Sequence, residues 1–514
     1  MIERPVGRVY LVGAGPGDAG LLTVRGAELL ARAELVVYDG LVNPALLRLA
    51  PATAETVAVG RHEGVRVLSQ ASVNQLLVEA AAAGRTVVRL KGGDSYVFGR
   101  GAEEAAELAA AGIPFEVVPG VSSFHAVPAY AGIPLTSPDG ASPPQFVVFS
   151  GQEDPAKPGS ILDWPGLARG PGTRVILMGM ERLPEITRQL EAHGVPRDEP
   201  VAVIRWGTTL RQDTLVGTLA DIADQVAGQG FGAPAVIVVG PTARRAPDLA
   251  WFENRPLFRR RIVVTRTRDD AGPLARSLEE LGAEVWELPV IRRAAPEDPE
   301  PARAAAEQAA AYDWIVFTSA AGVSAFFERL LATHGDLRSL GQTRLAAVGP
   351  ATAARIRELH LRVDAVPARH VGREIARAMQ DQGDLRDLRV LLARARIAGS
   401  DLVAELERLG ALVDDVAFYR TVAEDLDQGE PRETVARLLA EGADWITFTS
   451  PSTVEHAHAR LDLPGLRGRH SRLRFASIGP ETSRALATLG LPAHAEASPH
   501  TAEGLVAALR RSIA

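Results

Sequence analysis

The chain has 514 residues, too many for one ordinary core, so two to four compact units are expected. Its 46% hydrophobic and 23% charged residues are those of a soluble globular protein, and a net charge of -7 argues against a general nucleic-acid surface. With no cysteine, disulfides, thiolate metal sites and a cysteine nucleophile are excluded, and the 11 histidines lack the HxxxH spacing of a metal pair.

The first informative stretch is "VYLVGAGPGDAGLLTVRGAELLARAELVVYD", from Val9 to Asp39. A short apolar strand, a glycine turn, a helix and a second apolar strand closing on an acid are the parts of a dinucleotide-binding unit. The fit breaks at the turn, where Asp18 replaces the third small residue and Pro16 sits within the loop. A carboxylate there would repel a pyrophosphate, so the loop is read either as an imperfect dinucleotide site or as a site for another ligand.

Next come "VVRLKGGDSYVFGRGAEE", Val87 to Glu104 with Asp94 in its loop, and "VVPGVSSFHAVPAYAGIPLT", Val117 to Thr136. Three glycine- or serine-rich turns, each after a strand, point to one pocket lined by backbone at the carboxyl ends of the strands. Any one of them alone reads equally well as a tight turn. Through about Val239, apolar runs such as "TRVILMG", "VAVIR" and "AVIVVG" alternate with alanine- and leucine-rich helical stretches, which predicts an α/β organisation with a buried sheet.

A proline- and arginine-rich stretch follows, and residues 241–260 are read as a linker. Beyond it the sequence repeats. "DWIVFTS" at Asp313 to Ser319 returns as "DWITFTS" at Asp444 to Ser450, and "VGPAT" at Val348 to Thr352 returns as "IGPET" at Ile478 to Thr482. The block "RIVVTR" from Arg261 returns as "RVLLAR" from Arg389. Near-constant spacing over separated blocks predicts two similar α/β units with a ligand cleft.

The first half resembles the tetrapyrrole methyltransferases, in particular the uroporphyrinogen-III C-methyltransferase family, from about Gly7 to Phe252. The resemblance rests on "LVGAGPGDAGLLT", "VVYDGLV", "VVRLKGGDSYVFGRGAEE", "PGVSS", "AYAGIPLT", "LMGM" and "WGT". It implies the two-lobed fold of that family, with lobes of about 1–137 and 138–240, and S-adenosyl-L-methionine as the methyl donor. Pro16, Gly92, Gly93, Asp94, Val97, Ser122, Ser123, Met178 and Gly207 fall on the positions that line the donor. Asp39 falls on the general base, although by itself it reads equally as a ribose-binding acid or a helix cap. Where the family has a lysine in "GKR", this chain has Arg61 and His62. Arginine is too basic to donate a proton readily. Arg61 is therefore expected to anchor the substrate's carboxylates, with His62 as substitute donor.

The second half, about 261–514, resembles uroporphyrinogen-III synthase in "RPLFRRRIVVTRTRDDAGPLARSLEELGAEVWELPVI" and in the paired "FTS" and "GP" blocks. The resemblance implies two similar domains, one assembled from both ends of this half. It places Tyr419 near the departing hydroxyl of the substrate, with Ser450 and Thr482 at substrate-contacting positions. Their repeat mates Ser319 and Thr352 are candidates for the same cleft, and Thr265, Arg266 and Arg394 for carboxylate binding. A hydroxyl after a strand also reads as a helix cap.

The resulting expectation is an α/β chain carrying a methyltransferase fold followed by an internally repeated synthase. It would cyclise hydroxymethylbilane to uroporphyrinogen III, then methylate it twice to precorrin-2 on the sirohaem and cobalamin branch. A homodimer through the first half is implied by the resemblance, with no nucleic-acid partner. With no long apolar run, a cytoplasmic chain without a membrane contact or metal is expected. The rival readings are a nicotinamide-dependent oxidoreductase fused to a two-lobed binding module, and a chain with one active half.

Overall fold

The computed structural model describes residues 6–60, 68–137, 143–155, 160–367, 372–395 and 401–513, with backbone alone at 268–271 and 372–373. It divides into two compact units, Met1–Arg260 with Glu279–Glu284, and Arg261–Leu278 with Val285–Ala514. Among the described residues no helix is long and apolar enough to cross a membrane.

The first lobe of the first unit holds β1 (Arg8–Gly13), β2 (Leu35–Asp39), β3 (Glu55–Val59), β4 (Thr86–Lys91) and β5 (Phe115–Val118). They form one parallel sheet in the order β3-β2-β4-β1-β5. Helices cover both faces, which is why its central strands read as near-continuous apolar runs: Val9, Leu11, Val12, Val87, Val88 and Leu90 are all fully buried. The second lobe has β6 (Phe146–Ser150), β7 (Thr173–Leu177), β8 (Pro200–Arg205), β9 (Asp213–Thr218) and β10 (Ala235–Val239), ordered β6-β7-β10-β8-β9. Only β6 and β7 pair in parallel there; the other pairs are antiparallel. The helix Ser123–Tyr130, which follows β5, packs Val127 against Val175, Leu177 and Ile204 of the second lobe. That contact sets the third glycine turn between the two lobes.

Residues 241–260, expected as a linker, are folded onto the first unit. Phe252 and Leu257 are 2% and 0% exposed, the Tyr130 and Phe252 rings lie 4.7 Å apart, and the Trp251 indole donates to the Ala129 carbonyl at 3.0 Å. The prolines and arginines hid an aromatic cluster strong enough to order the segment.

The second unit contains β11 (Arg261–Val264), β12 (Glu284–Glu287), β13 (Ile291–Ala294), β14 (Trp314–Phe317), β15 (Arg344–Ala347), β16 (Arg389–Ala395), β17 (Leu412–Ala423), β18 (Trp445–Phe448), β19 (Arg474–Ser477) and β20 (Ala495–Glu496). They form two five-stranded sheets, β12-β11-β18-β19-β20 and β13-β17-β16-β14-β15. The first is built from both ends of this half and the second from its middle. The repeat is visible in register: Trp445 pairs with Ile262 as Trp314 pairs with Val390. The Asp444 carboxylate accepts from Arg261 N at 2.9 Å, as that of Asp313 accepts from Arg389 N at 2.8 Å. In each "DW" pair the aspartate thus clips the neighbouring strand and the tryptophan fills the core.

Candidate active sites

β4, β1 and β5 lie side by side and parallel, so the loops leaving them emerge on one edge of the sheet. Gly15 and Gly93 exchange both backbone hydrogen bonds, at 3.2 and 2.7 Å. The third loop crosses over this pair. A Cβ on Gly120 would lie 2.2 Å from the Gly93 carbonyl oxygen and 2.7 Å from Gly13 Cα, so only glycine allows the crossing. Asp94 clamps it, accepting from the backbone of Tyr96 and of Gly120, both at 2.8 Å. Ser122, 5% exposed, heads the helix Ser123–Tyr130, and a Cβ on Gly93 would lie 3.8 Å from Ser123 N. Gly92, Gly93, Asp94, Ser122 and Ser123 are therefore brought together. Pro16 is held between Gly15 and Gly17, and Val97 is 36% exposed beyond the second loop.

Asp39 ends β2, the neighbour of β4. One carboxylate oxygen accepts from Gly92 N at 3.3 Å and the other from Arg89 Nη2 at 2.5 Å. Both bonds hold it at the rim of the glycine loops with the side chain part-exposed.

In the second lobe β7 and β8 both run antiparallel to β10 between them, so Met178 and Gly207, just past their ends, share an edge. The loop at Gly207 reaches the first loop, since Asp18 N donates to Thr208 Oγ1 at 3.1 Å and a Cβ on Gly17 would lie 2.6 Å from Thr209 Cγ2. Met178, Trp206 and Thr208 adopt φ of 55°, 49° and 65°, left-handed values that cost energy in non-glycine residues. Fully buried Gln212 helps to hold this turn, accepting from Thr208 N at 2.7 Å and donating to Glu253 at 2.9 Å. Gln212 and Glu253 escaped the sequence reading because neither belongs to a recognisable motif.

The same contacts disfavour the dinucleotide reading. The amides of Ala14 and Gly15 are spent on Lys91 and Gly93 carbonyls, and that of Asp18 on Thr208. The Asp18 carboxylate occupies the turn itself, accepting from Gly20 N at 2.8 Å and the Tyr130 hydroxyl at 2.9 Å. Burial and that bond raise the Tyr130 phenol well above the ordinary tyrosine range, so it stays a donor. An acidic loop with its amides committed suits a cationic ligand and not a pyrophosphate. Arg61 and His62 lie outside the described residues.

In the second unit the Tyr419 hydroxyl lies 3.0 Å from Ser319 Oγ, which also caps the helix Ala320–His334 by accepting from Gly322 N at 3.0 Å. Tyr419 lines a cavity of about 970 Å³ together with Phe418, Ser324, Arg293, Arg329 and Arg355. Ser450 sits in the other sheet's lobe, capping the helix Pro451–Leu461 and 2.9 Å from Ser452 Oγ.

Several of the expected ligand contacts are buried side chains with partners inside the fold. Thr265 is fully buried and donates to the Thr447 carbonyl at 2.7 Å, a rung between β11 and β18. Arg394, 5% exposed, sets two arms on Asp415 at 2.6 and 2.5 Å, bracing β16 to β17. Thr352 and Thr482 are 5% and 2% exposed in the first turns of Pro350–Glu358 and Pro480–Thr488, so neither hydroxyl lies on an open surface. Arg266 is half-buried just past β11.

The geometry defines two classes of site, glycine loops that converge where two lobes meet and a two-sheet unit with an arginine-lined cavity. The family model of the tetrapyrrole (corrin/porphyrin) methylases matches residues 8–223, and that of uroporphyrinogen-III synthase HemD matches residues 272–507. The porphyrin biosynthesis protein HemD of Ruminiclostridium josui is 37% identical over 89% of this chain and 90% of its own length. The S-adenosyl-L-methionine-dependent uroporphyrinogen III methyltransferase of Methanosarcina barkeri is 51% identical over 46% of this chain and 91% of its own length. A crystal structure of uroporphyrin-III C-methyl transferase from Thermus thermophilus with S-adenyl homocysteine is 39% identical, covers 46% of this chain and 99% of that one, and has a TM-score of 0.40. The chain belongs to the tetrapyrrole methylases in its first half and to the uroporphyrinogen-III synthases in its second.

Proposed function

We propose that this chain is a bifunctional enzyme of tetrapyrrole biosynthesis, closing hydroxymethylbilane to uroporphyrinogen III in its second unit and methylating that product twice to precorrin-2 in its first. The observation that carries the methyltransferase reading is the glycine crossing of Gly13, Gly93 and Gly120 with Asp39 at its rim. S-adenosyl-L-methionine, when bound, supplies a methyl group on a sulfonium, and glycine loops carrying Asp18 and Asp94 are the surroundings such a cation favours. Gly92, Gly93, Ser122, Ser123, Met178 and Gly207 would hold the donor. Asp39, tied on both oxygens, would take the proton lost from the macrocycle.

In the second unit the main work is to fold a flexible polyanion so that its ends meet. Tyr419 would give its hydroxyl proton to the departing hydroxyl, with Ser319 replenishing or orienting it across 3.0 Å. The cavity arginines suit the substrate's carboxylates.

The test is anaerobic incubation of the full chain with uroporphyrinogen III and S-adenosyl-L-methionine, followed by mass analysis. The addition of two methyl groups is expected. Recovery of unchanged substrate, with no conversion of the donor, would refute the methyltransferase reading.

A further inference from the structure

The strand β4 carries two cations, Arg89 and Lys91, and both are buried, at 3% and 5% exposure. Alternation along a strand puts both on one face. That face meets Glu104 of the helix Gly101–Ala110, itself fully buried. One Glu104 oxygen accepts from Arg89 Nε, Lys91 Nζ and Gln70 Nε2, each at 3.1 Å. Arg89 then extends away from this anchor. Its Nη2 lies 2.5 Å from Asp39 Oδ1, and its Nη1 touches the Val37 and Leu90 carbonyls at 3.4 and 3.3 Å.

Burying ions is costly, and packing alone would be served as well by an apolar side chain. Lys91 already neutralises Glu104. What Arg89 adds is a rigid planar fork that links Glu104 to Asp39, and a lysine cannot reproduce that geometry. Among the described residues, the other hydrogen bond to the Asp39 carboxylate is the longer one from Gly92 N, at 3.3 Å.

We infer that Arg89 is a positioning residue for methyl transfer, its guanidinium locked by Glu104 so that it fixes the Asp39 carboxylate at the rim of the glycine loops. The inference rests on the reading of Asp39 as the proton acceptor.

The test compares single-turnover methylation by the full chain in the parent, Asp39→Asn, Arg89→Met and the double variant, with S-adenosylhomocysteine affinity measured by calorimetry. Arg89→Met is expected to slow transfer by about 10- to 100-fold while affinity changes by less than about twofold. In the Asp39→Asn background the same change is expected to cost less than about twofold, because the two residues act as one unit. Lys91 keeps Glu104 paired in Arg89→Met, so that variant leaves no buried charge without a partner. A rate within about threefold of the parent, or an equal loss in both backgrounds, would overturn the positioning role. Full activity of Asp39→Asn would overturn the reading of Asp39 itself, and the inference with it.

Discussion

At Gly120 a single hydrogen replaced by a methyl meets backbone on every side: the Gly93 carbonyl at 2.2 Å and Gly13 at 2.7 Å. No side chain can give way there, so the loops must part. Gly120→Ala is expected to lower methylation by roughly 100-fold, the cost of about an ångström of misplacement, while ring closure by the same chain is retained. An assay of both activities on one preparation checks it. In the second unit Tyr419→Phe keeps the ring and deletes the proton. Ring closure is expected to slow by about 100-fold with methylation unchanged, and a rate equal to the parent's would remove Tyr419 from the chemistry. The individual residues were unequally legible in the sequence. Glycines 92 and 93 and Asp94 announce themselves in one motif. Thr265 and Arg394 are ambiguous in sequence, because a hydroxyl or cation at a strand end looks the same whether it faces a ligand or braces a neighbouring strand, and in the structure both make the bracing contact. Arg89 went unread because its partners lie 15 and 50 residues away.

Among the elements, the helix Trp164–Arg169 shows how a short segment is terminated by a side chain from elsewhere. Arg174 of β7, 5% exposed, donates to the carbonyls of Leu167, Ala168 and Gly170 at 2.6 to 2.7 Å and of Gly172 at 3.3 Å. The first three are carbonyls a helix end leaves without partners. Burial pulls this guanidinium below the ordinary arginine range, opposed by the charge of Glu199. Arg174→Met is expected to destabilise the first unit by about 2–4 kcal/mol, read by denaturant unfolding. A pH dependence belongs to the β19–β20 edge. His494 Nδ1 accepts from Phe475 N at 3.1 Å, and burial, with Arg467 and Arg474 nearby, holds its pKa below the usual imidazole range. The unfolded chain therefore binds the proton more readily than the folded one, so this contribution is intact above the ordinary histidine value and is lost as pH falls below it. The melting temperature of the second unit is expected to drop as pH is lowered from about 7 to about 5.5, and to drop less in His494→Leu. An equal drop in both would contradict the assignment.

At the scale of the molecule, the strand and helix alternation and the repeat were plain in the sequence, since "DWIVFTS" and "DWITFTS" mark equivalent strands that pair in the same register. What composition concealed was the fate of residues 241–260, whose prolines and arginines surround the aromatic anchors Trp251 and Phe252 that tie the segment to the first unit. The joining of the two family halves in one chain gives them a shared chemistry, the product of ring closure being the substrate of methylation. The most direct test is therefore a single reaction of the full chain with hydroxymethylbilane and S-adenosyl-L-methionine under anaerobic conditions, with tetrapyrroles identified by mass and isomer. Dimethylated product of the type III series is the predicted result. Type I isomer alone, which forms from hydroxymethylbilane without an enzyme, would contradict the account of the second unit, and unmethylated uroporphyrinogen III alone would contradict that of the first.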